Sequence, residues 1–158
     1  MIHKSSNLFY AFDFDGTLMG DNHWSGFWTT TKAAFQKGPY VNPNEEFDIR
    51  WSVVTGRPKC DRPIVWAACH GKGLHPDDIY MYPAWYHHYT YTEVIEQKVQ
   101  FLKDVLNGKI NTGNKISRAF YVDNDLECVA QMNARQGGYA FLALSLIEFR
   151  KGDFNFML

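Results

Sequence analysis

The side chains that could do chemistry fall in four short stretches: Asp13-Phe14-Asp15-Gly16, Thr55-Gly56-Arg57, Lys98, and Asp123-Asn124-Asp125. Two carboxylates one residue apart, followed by a glycine that lets the chain turn sharply, offer hard oxygen ligands for a cation and groups able to exchange a proton. Taken alone, Asp-x-Asp-Gly is often only a turn with the look of a calcium loop. Thr55-Gly56 alone reads as a loop, and Lys98 alone as a solvated helix lysine. Position lifts them above that reading. Asp13, Asp15, Thr55 and Asp123 each end an apolar run; if those runs are parallel strands, all four lie at one edge of the sheet, where open α/β folds place their ligands.

The elements that must hold these residues follow from the apolar pattern. Strands are predicted at Leu8 to Phe14, Ile49 to Thr55, Ile79 to Tyr82, Arg118 to Val122 and Tyr139 to Ala143, alternating with helices. That is the rhythm of βαβ units and of a mostly parallel sheet covered on both faces. A helix is expected around Phe27 to Gln36, and another from Pro58 to about Gly71, with proline at its first position. Thr90-Tyr91-Thr92-Glu93 supplies a capping box for a helix running to Leu106. On it Val94, Ile95, Val99, Leu102 and Leu106 share a face by 3.6-residue spacing, whereas Lys103, five residues beyond Lys98, is turned well away from it. A further helix is expected from about Leu126 to Arg135. The stretch from Ser145 onward is apolar but ambiguous.

Composition sets the outer bounds. The chain has 158 residues, 46% apolar and 21% charged, which suits one folded domain over residues 1–158 and excludes a disordered tail or a fibre. A net charge of −1 argues against a broad nonspecific nucleic-acid surface while leaving room for a local patch. Cys60, Cys69 and Cys128 are odd in number and lack a CxxC spacing, so neither a disulfide framework nor a zinc site is indicated. The longest apolar run is far shorter than a membrane span, and the first residues lack a secretory pattern, so a cytoplasmic location is expected.

With the motifs in hand, the chain resembles the haloacid dehalogenase superfamily. Phe12-Asp13-Phe14-Asp15-Gly16-Thr17-Leu18 looks like that family's first motif, Val53-Val54-Thr55-Gly56-Arg57 its second, Lys98 its third and Val122-Asp123-Asn124-Asp125 its fourth. The resemblance spans residues 8 to 143 and implies a three-layer, Rossmann-like α/β fold. It also implies a Mg²⁺-dependent phosphatase in which Asp13 attacks phosphorus to give an aspartyl-phosphate that water hydrolyses. Asp15 would serve as general acid and then base, Thr55 would hydrogen-bond the phosphoryl oxygens, and Lys98 would neutralise Asp13 and phosphate together. Asp13, the main-chain carbonyl of Asp15, and Asp123 would hold Mg²⁺, with Asn124 a further candidate; Asp125 reads equally as a metal ligand or a helix cap. Gly16, Thr17, Gly56 and Arg57 are the expected substrate-binding residues, with exposed main-chain N–H groups after Asp15 completing an anion cradle. The presence of Asp15 points to phosphate chemistry rather than dehalogenation.

Several features bear on the substrate. The insert of about forty residues between Asp15 and Thr55 already contains a helix and a strand, so no large cap is expected and the site should be open. An open site admits a nucleotide or a polynucleotide end. Arg57, Lys59 and Arg62 could grip additional phosphates or form a solvated helix face. The run Tyr80 to Tyr91 could stack bases or pack on the sheet edge, and adjacent His87 and His88 make a poor joint metal site. Trp24 and Trp28 could form a flap or belong to the core. The tryptophan spacing, the Thr-Gly-Arg motif and the Thr92 to Leu102 segment loosely resemble RNA-repair-like members of the superfamily. The alternative is a catalytically idle module of the same fold that binds nucleic acid or protein. A two-component receiver domain places its acidic pair and its phosphorylated aspartate on different strands, which does not fit this order.

Overall fold

A computed structural model describes residues 7–19 and 51–151. Five strands, β1 (Leu8–Phe12), β2 (Trp51–Pro58), β3 (Asp78–Tyr82), β4 (Arg118–Asp123) and β5 (Phe141–Ser145), form one sheet in the order β3-β2-β1-β4-β5. Every pairing is parallel. Alternation along the strands splits the core in two, because successive side chains point to opposite faces. Tyr10 and Phe12 of β1 join Trp51, Val53, Phe120 and Val122 on one face; Phe9 and Ala11 join Val54, Ala119 and Tyr121 on the other.

Helices cover both faces. Val65 and Cys69 of α1 (Arg62–Gly71) and Leu146 and Phe149 of α4 (Leu146–Lys151) close the first face. Ile95, Val99 and Leu102 of α2 (Tyr91–Leu106) and Cys128, Val129 and Met132 of α3 (Leu126–Ala134) close the second. This is the expected three-layer, Rossmann-like α/β arrangement. Because both faces are buried, the central strands read as continuous apolar runs, as doubly covered parallel strands do. The capping box also forms, with Thr90 Oγ1 accepting from the Glu93 N–H at 3.1 Å.

Several boundaries differ from the sequence reading. β1 stops at Phe12 rather than Phe14, since Gly16 takes a φ of 80° and draws residues 14–19 into a tight turn, with the N–H groups of Leu18 and Met19 both returning to the Phe14 carbonyl. β2 runs on to Pro58, with its pairing to β3 irregular between Val54 and Pro58, so Thr55-Gly56-Arg57 is a bulged strand end rather than a strand-to-helix turn. The helix that Pro58 was expected to start opens instead at Arg62, after a 3₁₀ turn (Lys59–Asp61), and Pro63 provides the early proline. The last strand lies two residues later than expected, and part of the ambiguous tail becomes α4. The helix expected at Phe27 to Gln36, Trp24, Trp28 and the insert that bears on a cap lie outside the described residues. All three cysteines are free, with Cys69 and Cys128 buried. Among the described residues no helix is long and apolar enough to cross a membrane.

Candidate active site

The strand order places β1 between β2 and β4, so the chain runs outward to one side and then returns to the other. In such sheets the crevice outside the carboxyl ends at the point of reversal is open to a ligand. Here that point lies where β1 delivers Asp13 and β4 delivers Asp123. A cavity of about 280 Å³ opens there, and Asp13, Asp15, Thr55, Gly56, Lys98 and Asp123 are among its walls. A cavity of about 350 Å³ at the opposite, amino end of the strands is lined by Asp77 and Asp78 with Ser52 and Asn111, and among the described residues no cationic side chain lines it.

Charge is concentrated in the first cavity's floor. Lys98, 5% exposed, reaches from the middle of α2 to place Nζ 2.9 Å from Asp13 Oδ1 and 3.5 Å from Asp123 Oδ2. Nζ also donates to the Tyr121 hydroxyl at 2.5 Å, which in turn donates to Asp123 Oδ2 at 2.5 Å. A lysine so deep in a protein is stable only when its partners replace water. Burial alone pushes the Lys98 ammonium down, but Asp13 and Asp123 outweigh it and hold it well above the ordinary lysine value. Asp13 moves the same way for a different reason. Burial first, then repulsion from Asp123, push its carboxyl well above the usual carboxylate range, and the attraction of Lys98 offsets this only in part. Burial and Asp123 likewise push the Tyr121 hydroxyl up, so it stays a neutral link between Lys98 and Asp123.

Asp15 is held from outside the cavity. Its two oxygens accept from Arg57 Nε at 2.7 Å and Nη2 at 2.6 Å, a bidentate pair that fixes the carboxylate's orientation. Arg57 is 1% exposed, lies over the Phe14 ring and also faces Asp61 Oδ2 at 3.5 Å. Its charge is therefore shared with Asp15 and Asp61, whereas the sequence pointed to a substrate-binding role. The bulge causes this by turning Arg57 inward and leaving Thr55 at the wall. Thr55 Oγ1 accepts the Arg57 N–H at 3.1 Å, which leaves its own hydroxyl proton to donate elsewhere. Of the other two basic residues expected beside it, Arg62 donates to the Ile79 carbonyl and pairs with Asp78, while Lys59 is exposed.

The first and fourth motifs are clasped together. Thr17, fully buried, receives the Asn124 N–H on Oγ1 at 3.0 Å and donates to Asn124 Oδ1 at 3.3 Å. A Cβ on Gly16 would lie 2.5 Å from Asn124 Nδ2, so glycine is needed there for space as well as for its φ. Gly16 and Thr17 are absent from the cavity wall, and the N–H groups of Gly16 and Thr17 bond back to Met19 and Phe14. The expected cradle of main-chain donors after Asp15 is thus closed on itself at those two residues. Gly56 stays at the wall, where a Cβ would meet Val94 at 2.7 Å, and its carbonyl accepts the Tyr89 hydroxyl at 2.5 Å. Asp125 is the helix cap of its two alternatives, with Oδ1 accepting the Glu127 and Cys128 N–H groups at 3.0 and 3.2 Å and Oδ2 taking the Tyr91 hydroxyl.

Among the described residues no group of three or more His, Cys, Asp or Glu side chains is arranged to hold a metal ion. Asp13 and Asp123 meet in the cavity, Asp15 turns its carboxylate to Arg57, and Asn124 turns its amide to Thr17. Two participants escaped the sequence reading. Tyr121, inside a strand, reads as core filler, and Asp61 follows a lysine and a cysteine in no motif; only the inward alternation of β4 could have hinted at the first.

No protein-family profile and no curated protein matches this chain. It is similar in structure to a chain of the Pnkp1/Rnl/Hen1 RNA repair complex, with a TM-score of 0.55 and 15% sequence identity. The match covers 92% of this chain and 44% of that one, so this chain spans under half the neighbour's length. At that identity the likeness shows the shared fold.

Proposed function

We propose that this chain is a Mg²⁺-dependent phosphomonoesterase working through an aspartyl-phosphate on Asp13, with a nucleotide or nucleic-acid phosphate end as substrate. The observation that carries it is the contact of Lys98 Nζ with Asp13 Oδ1 at 2.9 Å in a cavity that Asp123 and Asp15 also line. Lys98 holds one oxygen of Asp13 so that the other can attack phosphorus as the bond to the leaving oxygen breaks. Asp15, oriented by Arg57, takes up a proton from solvent, passes it to that leaving oxygen and then accepts one from the water that opens the acyl phosphate. Thr55 donates its hydroxyl proton to a phosphoryl oxygen.

The donor set suits a hard divalent cation, which the chemistry requires. Two buried carboxylates face one lysine, and the carboxyl of Asp13 is pushed up first by burial and then by the negative charge of Asp123. Asp123 Oδ1 accepts the Asp125 N–H at 2.9 Å and keeps a second lone pair, as does Asp13. Asp13, Asp123 and the main-chain carbonyl of Asp15 would hold Mg²⁺, which when bound offsets that charge and polarises the phosphoryl group. The structural neighbour comes from an RNA repair complex, which favours nucleic-acid ends as the substrates to try first.

The rival reading, an idle binding module, draws on one observation: Arg57 engages both oxygens of Asp15. Turnover separates the two. Release of phosphate from a generic aryl phosphate should require Mg²⁺ and vanish in Asp13→Asn. Absence of metal-dependent release from aryl phosphate, nucleotides and 3′- or 5′-phosphorylated oligonucleotides alike would reject the enzyme and leave the module.

A further inference from the structure

The run Pro83 to Thr90 leaves the end of β3, at the edge of the sheet, and returns to α2, whose first turn lines the cavity. It must therefore cross the carboxyl end of β2 on the way, and the hydrogen bonds show that it does. The Lys59 and Cys60 N–H groups donate to the Ala84 and Trp85 carbonyls at 2.8 and 3.2 Å, and Tyr89 ties the returning limb to Gly56. Tyr82, just before the strap, and Tyr89, near its end, stack with ring centroids 3.6 Å apart. The backbone is thereby pinned on both limbs.

The aromatic residues of the run divide into two sets. Tyr89 is buried, and Tyr80 packs against Phe101, so these serve the fold. Trp85 and Tyr86, in contrast, are 61% and 60% exposed and touch each other edge to face at 6.4 Å, with His88 beside Tyr86. Tyr91 is 42% exposed at the cavity wall, with its hydroxyl fixed on Asp125. Lys59, exposed, hangs its main chain on the same strap. Exposed aromatic faces on a strap that crosses the carboxyl end of β2 and leads into the cavity wall, with a cation hung on the same strap, suit single-stranded nucleic acid, since each base offers a π-face to stack and each linkage a negative charge. Rigid presentation also reduces the ordering cost of binding. Of these three rings, Tyr91 alone lines the cavity.

Resting on the phosphatase reading, we infer that the Pro83–Thr90 strap is a base-stacking subsite, making the substrate a single-stranded polynucleotide bearing a terminal phosphate. The phosphate enters the cavity, the terminal base meets Tyr91, and the next bases lie on Tyr86 and Trp85, with Lys59 at the backbone between them.

The test is binding to the otherwise full-length Asp13→Asn protein by calorimetry, using a short phosphorylated oligonucleotide, its abasic counterpart of equal length, and the phosphorylated mononucleotide. The oligonucleotide should bind roughly five- to a hundredfold more tightly than the abasic strand for each base stacked. Adding Trp85→Ala and Tyr86→Ala should collapse that difference, while Trp85→Phe and Tyr86→Phe, which keep a ring, should retain most of it. Equal affinity for the oligonucleotide and the abasic strand, or a difference that survives both alanine substitutions, overturns the subsite. Should the aromatic-dependent preference appear in a parent protein that turns over no phosphate ester, the subsite stands and the phosphatase reading falls.

Discussion

Replacing Arg57 is the most informative perturbation, because the two roles available to it make opposite demands. As placed, its guanidinium faces two carboxylates whose side chains are only 11% and 8% exposed, Asp15 at 2.6 Å and Asp61 at 3.5 Å. Arg57→Met keeps much of the apolar volume and removes the charge, so two buried carboxylates lose their shared cation. Breaking a buried pair this way costs about 3–5 kcal/mol, a large part of the about 5–15 kcal/mol that holds a domain together. At a urea slope of about 2 kcal/mol per molar, the unfolding midpoint should drop by roughly 1.5–2.5 M. Arg57→Lys keeps the charge but loses the fork, and with it one charge-assisted bond of about 1.5–3 kcal/mol. Adding Asp15→Asn to Arg57→Met should recover part of the loss, since an amide needs no counter-charge. In turnover, Arg57→Lys should lower kcat with little change in KM if Arg57 positions Asp15, and should raise KM if it grips substrate. A midpoint that moves by less than about 0.5 M in Arg57→Met, or a purely KM effect in Arg57→Lys, would refute the buried-clamp assignment.

Two further outcomes follow from the same cavity. Because the Asp13 carboxyl is held above its ordinary value in the fold, the folded state keeps that proton where the unfolded chain releases it, so its contribution to stability declines as pH rises from about 4 through the raised value. Lys98, raised above its ordinary value, contributes evenly until above about pH 10 and adds no slope in that window. Denaturant midpoints in chelator should therefore fall with pH more steeply for the parent than for Asp13→Asn, with Mg²⁺ closing the gap; identical slopes would contradict it. Gly16→Ala combines a φ of 80° with a Cβ 2.5 Å from Asn124 Nδ2, so a stability loss of about 2–4 kcal/mol is expected by thermal or urea unfolding, against a negligible one for Gly71→Ala, where nothing lies within 4 Å.

The sequence alone carried the fold class, because a sheet covered on both faces needs apolar strands separated by amphipathic helices, and that alternation is written locally. It also located Asp13, Asp15, Thr55 and Asp123 at one edge, since side chains at the ends of parallel strands share an edge whatever the strand order. The direction of Arg57 was not legible. Its neighbours in sequence suit a helix start, and only the irregular pairing with β3 between Val54 and Pro58 turns its guanidinium inward to Asp15, in the turn after β1. Nor could the sequence assign Asn124 to Thr17, or bring Lys98 to the Tyr121 hydroxyl, because those contacts join residues from separate elements. Periodicity reports which face a side chain takes, whereas its hydrogen-bond partner depends on what the rest of the chain brings within 3 Å, and that is settled only when the layers pack.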